Sequence, residues 1–151
     1  MEKINIVLAQ AHQSQLEHPN IQRELRDIQT FFNEAHLSFK EGTVNYVLIR
    51  GLYNHAERSM NMVGVFVNKT EQLLCGLETT LSYQVKNHPS ARFVDVELQL
   101  PPNFVGEIKP NEGFIVHLNV QVEGLSGEQE VFEATELAGN VSDLKIAYVN
   151  E

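Results

Sequence analysis

At 151 residues, with 42 % hydrophobic and 21 % charged residues, the chain is long enough to bury one core and too apolar to be disordered. Its net charge of −9 is concentrated in residues 91–151, where three basic side chains face eleven acidic ones, which argues against nucleic acid as a partner. A lone Cys75 excludes an intramolecular disulfide and a CxxC zinc or redox motif, and no apolar run nears the ~20 residues that span a bilayer.

Ile4, Ile6 and Leu8 alternate as in a strand, a run too short and too interrupted by Asn5 for a signal peptide, so the expectation is a cytoplasmic protein with no membrane partner. His18-Pro19-Asn20 breaks the chain, because the residue before a proline is pushed out of the helical region. Beyond it Ile21, Leu25, Ile28, Phe32 and Ala35 recur at steps of four and three, one face of a helix with Asn20 as the expected N-cap. Residues 1–42 thus read as a strand-and-helix extension to a single domain, and residues 43–150 as strands. Val44 to Leu52 is rich in β-formers. Met60, Met62, Val63, Val65 and Val67 make the next strand, with Gly64 marking a bulge or a close backbone approach. Leu77, Thr79, Leu81, Tyr83 and Val85 alternate cleanly, and one strand is expected from Phe93 to Leu100, ended by Pro101-Pro102.

The clearest pattern is Phe114, Val116, Leu118, Val120 and Val122 against His117, Asn119 and Gln121, with Ile115 the exception. It predicts a strand with one greasy and one wet face. Short strands follow at 131–134 and 141–149. Turn signals every ~8 to 14 residues around seven or so strands predict a β-sandwich with the amphipathic helix packed on it.

Two segments resemble those of bacterial immunoglobulin-like β-sandwich modules. One is Val63-Gly64-Val65-Phe66-Val67-Asn68-Lys69-Thr70, running on to Leu77 and Leu81. The other is Ile108-Lys109-Pro110-Asn111-Glu112-Gly113-Phe114 before the long alternating strand. The resemblance covers residues 43–150 and departs from the pattern in having Asn111-Glu112-Gly113 where Gly-Glu is commoner, and no tryptophan. It implies an immunoglobulin-like fold in which proline presets that turn and glycine takes positive φ. It also implies a role in binding or spacing.

Chemistry-bearing residues are sparse. Cys75 opens an apolar strand, where a thiol acts as core filler. His12, His18, His36, His55, His88 and His117 show no metal-binding spacing, and His117 belongs to the wet face of its strand. Glu128, Glu130, Glu133 and Glu136 crowd one loop without the order of a calcium site. Asn68-Lys69-Thr70 fits a glycosylation triplet but reads as a turn. No cofactor or metal is implied. Loop apolar residues Tyr53, Met60, Phe104 and Val105 are the expected interaction surface, for Phe104 in competition with a place at the end of the core. The expected function is a non-enzymatic protein-interaction or assembly module, its partner a protein, a second copy of the chain included. Two alternatives stand beside it: a carrier of a small molecule or peptide in a cleft between helix and sheet, and an enzyme whose histidines and carboxylates converge.

Overall fold

A strand that is apolar on both sides needs cover on both sides, and this chain supplies it with three layers. The structure, a computed structural model, describes residues 3–149. The larger sheet runs β1 (Asn5–Val7), β7 (Glu112–Glu123), β3 (Ser59–Asn68), β2 (Val44–Asn54) and β8 (Val131–Glu133). A two-residue strand, β5 (Arg92–Phe93), shares the β7 edge with β1. The smaller sheet runs β6 (Val96–Leu100), β4 (Leu74–Val85) and β9 (Leu137–Tyr148). Helix α1 (Pro19–Glu34) packs on the outer face of the larger sheet, and α2 (Pro102–Val105) is a single turn. The protein is mainly β, a two-sheet sandwich with one long helix laid on it.

Between the sheets lie Met60, Met62, Phe66, Leu77, Leu81, Phe114 and Phe132. Under the helix, Ile28 and Phe32 meet Val63, Val65, Val67 and Ile115, with Ile4 and Ile6 alongside. Each such side chain contributes ~1.5–3 kcal/mol of burial. β3 alternates between the two cores, which is why its sequence is almost continuously apolar. The same arrangement explains Ile115. Strand β7 is not packed on one side only, because α1 covers the face that Ile115 occupies.

Three further expectations are corrected. The stretch from Phe93 to Leu100 is not one strand. Phe93 pairs with Val122 in the larger sheet and Val96 with Leu81 in the smaller, and Val94, where the chain crosses between them, is 57 % exposed. The N-cap of α1 is His18, whose Nδ1 accepts from Asn20 N at 3.3 Å, while Pro19 takes the first helical position, where its missing N–H costs nothing. In the turn before β7 the residue with positive φ (66°) is Asn111, not Gly113. Asparagine tolerates that conformation, and Gly113 instead lies in the strand, where a Cβ would come within 2.7 Å of Val65.

Gly64 does mark a close approach: a Cβ there would lie 2.5 Å from the Tyr46 ring. The register of β2 against β3 shifts between Leu48 and Arg50, a bulge opposite Gly64. Tyr46, laid over the glycine, reaches the smaller sheet and hydrogen-bonds Tyr83 hydroxyl to hydroxyl at 2.9 Å. Elsewhere, side-chain amides stand in for missing strands. Gln29 of α1 accepts from Ile6 N and donates to Ile4 O, closing the outer edge of β1. Asn45 does the same for the backbone of Lys40.

Candidate functional site

One edge of β7 is shared by two short strands and completed by neither. Strand β1 pairs parallel with Glu112 to Phe114, and β5 pairs antiparallel with Val122 and Glu123. Asn111 O accepts from Asn5 N at 2.9 Å and Gln121 O from Val94 N at 3.0 Å. Alternate residues of a strand address opposite neighbours, so the odd-numbered residues of β7 turn their backbone groups to this edge. Between the two paired stretches lie His117 and Asn119. Among the described residues, their N–H and C=O groups have no partner on that side.

Beside this gap is a cleft of about 410 Å³. Strand β7 contributes Ile115 and Leu118, and Leu8 follows from β1. Leu100 ends β6, Phe104 belongs to α2, and Ile21 comes from the half-packed first turn of α1. Its polar groups are His12, Gln15, Glu24 and His117. The His12 ring meets Phe104 edge-on at 5.2 Å, and its nitrogens make no hydrogen bond among the described residues. An apolar enclosure with a few convergent polar groups is the usual form of a ligand site.

Glu24 joins helix to sheet. Its Oε1 is 2.7 Å from His117 Nε2, and its Oε2 is 3.3 Å from Arg50 on β2. Arg50 and His117 both face Val63 in the sheet register, so one carboxylate spans three strands. Burial alone would raise the Glu24 carboxyl. The His117 hydrogen bond and the charges of His117 and Arg50 outweigh it and hold the carboxyl below its ordinary value. No serine, threonine or cysteine lines the cleft.

Of the four residues expected at an interaction surface, only Phe104 reaches this cleft, half-buried. Tyr53, Met60 and Val105 are buried at 5 %, 0 % and 1 % exposure, so their side chains build the core and offer a partner nothing. The bulge in β2 turns Gly51 and Tyr53 inward and leaves Leu52 outward beside its cross-strand neighbour Val131, both exposed. Gly64 flags a bulge in the sequence, but nothing there places the extra residue on β2 or reverses the parity of Gly51 to Tyr53.

His12 shares the cleft with His117, whereas His55 and His88 lie elsewhere. His55 sits by the Tyr53 hydroxyl at 3.0 Å, and His88 packs edge-on against Phe132. Glu133 and Glu136 cap the short turn between β8 and β9, and Gln129 donates to Glu136. Those two hydrogen bonds, from Gln129 and the Glu133 backbone, lower the Glu136 carboxyl. Among the described residues no group of three or more His, Cys, Asp or Glu is placed to hold a metal ion. Nor is any helix among them long and apolar enough to cross a membrane. Asn68 Nδ2 spends its hydrogens on the carbonyls of Gln72 and Ile108, and its Oδ1 accepts from Thr70, so the triplet works as a buried turn.

The chain matches no protein-family model, and no curated protein or solved structure is significantly similar to it.

Proposed function

We propose that the protein is a non-enzymatic protein-interaction module that takes its partner in the cleft between α1 and the edge of the larger sheet. The observation that carries this reading is the cleft itself. Apolar side chains from β7, β6, α1, α2 and the end of β1 converge on a space that the molecule leaves unfilled, with the unpartnered His12 imidazole beside them. The segments similar to bacterial immunoglobulin-like modules support the same class of role, since turn and strand of both lie in the sandwich that carries the cleft.

The test is capture from the native host's lysate with wild-type protein, with Phe104→Asp and Leu118→Asp, and with Gln84→Lys on the opposite sheet as a control. A partner retained by the control and lost by both cleft variants supports the reading. A partner that survives both cleft changes places its contact elsewhere and overturns it.

The His117–Glu24 pair favours a second reading, a hydrolase in which His117 withdraws a proton from water, since no serine, threonine or cysteine lines the cleft to be the nucleophile instead. Glu24 would then orient the imidazole. Turnover of a chromogenic ester or phosphate ester that disappears in His117→Gln would favour this reading over the first.

A further inference from the structure

The interaction reading leaves open what form a partner takes at the cleft, and the gap in the β7 edge answers it. A sheet edge normally carries a continuous neighbour, is blunted by charge or bulge, or is covered. Here the same edge is paired at both ends and bare between them. His117 and Asn119 each present one N–H and one C=O, and Ile115 to Gln121 spans ~20 Å of strand. By contrast, the outer edge of β1 is closed by the Gln29 amide.

We infer that the cleft receives an extended peptide segment of another protein, which adds to β7 as the missing stretch of strand between β1 and β5. The inference rests on the interaction reading above. The backbone groups of His117 and Asn119 supply the pairing, and an apolar side chain of the incoming segment enters among Leu8, Leu118 and Phe104. Charge chooses the partner's chemistry. Asp95 and Glu97, where the chain passes from β5 on the β7 edge into β6 of the smaller sheet, are exposed and form no salt bridge among the described residues. Residues 91–151 carry three basic against eleven acidic side chains. The segment is therefore cationic beside its apolar residue. Strand addition gives affinity through the main chain and specificity through alternate side chains.

The experiment selects binders from a displayed library of random dodecapeptides and follows amide hydrogen exchange of the full chain with and without the best one. A cationic peptide that slows exchange at His117 and Asn119 about tenfold or more, and whose analogue N-methylated at alternate amides loses binding about tenfold, bears the inference out. A peptide whose binding is abolished by Phe104→Asp but which leaves both amides exchanging as in the free protein overturns strand addition while the cleft reading stands. A peptide indifferent to Phe104→Asp, or no enrichment at all, overturns both. Protection of the same two amides by raised protein concentration alone makes the occupant a second copy, and that also overturns the inference.

Discussion

A carboxylate removed from water keeps its charge only where neighbours favour it, and Glu24 has two, on different strands. Because its carboxyl is held below the ordinary value, the folded state gains from it above the unfolded carboxyl pKa, and the gain is lost as pH falls through the folded one. Glu24→Gln is therefore expected to be less stable than wild type near neutral pH, with the difference closing as pH falls below ~4. Urea unfolding at several pH values checks this, and a difference that persists unchanged at pH ~2 would refute it. Gln29 carries a similar weight through neutral bonds. Gln29→Leu orphans Ile6 N–H and Ile4 C=O and is expected to cost ~1–3 kcal/mol in the same assay. Neither residue stood out in the sequence. Glu24 looks like Asp27 there, and Gln29 like any polar residue on a helix, because what distinguishes them is a contact 23 or more residues away.

The elements themselves were far more legible, because periodicity is local and burial enforces it. The stripe of α1 lies where its four-and-three spacing puts it, and β4 turns the five alternating residues inward. What misled was change of partner along a continuous pattern. Phe93 to Leu100 keeps strand chemistry throughout but passes from one sheet to the other, and β7 breaks its alternation only at Ile115, where a second layer begins. The open edge of β7 was invisible for a related reason: side-chain pattern records faces, whereas edges are matters of backbone. A pair of prolines reads the edge directly. Asn119→Pro removes an N–H that addresses no strand and is expected to change stability by about 1 kcal/mol or less. Val120→Pro removes one that addresses β3, as Val122 N does in donating to Arg58 O, and should cost ~3 kcal/mol or more. Thermal denaturation of the two variants separates the cases, and equal losses would mean the edge is not open.

Across the whole molecule the two sheets are joined mainly by apolar packing, and the Tyr46–Tyr83 pair is a polar bond set within it. Burial pushes the Tyr83 hydroxyl up to about 12, and burial together with Tyr83 raises Tyr46 further. A raised folded value means stability that is whole below the ordinary tyrosine pKa of ~10 and drains away above it. Alkaline unfolding is thus expected to be coupled to tyrosinate absorbance near 295 nm, and Tyr46→Phe should shift that coupling. If unfolding and the tyrosinate signal were to part company, the pair would not be the linking group.

One pairing also sets a schedule. Strand β1 lies parallel to β7, so Asn5 finds its neighbour at Glu112, about a hundred residues further along the chain. At ~5–20 residues per second, a ribosome needs some ~5–20 s to produce that neighbour. Throughout that interval the apolar stripe of α1 and the strand before it have been made, while a strand they pack against has not. Among the described elements, the first to be made is among the last to be housed. Whatever guards the nascent chain must therefore guard β1 and α1 well after both have left the tunnel.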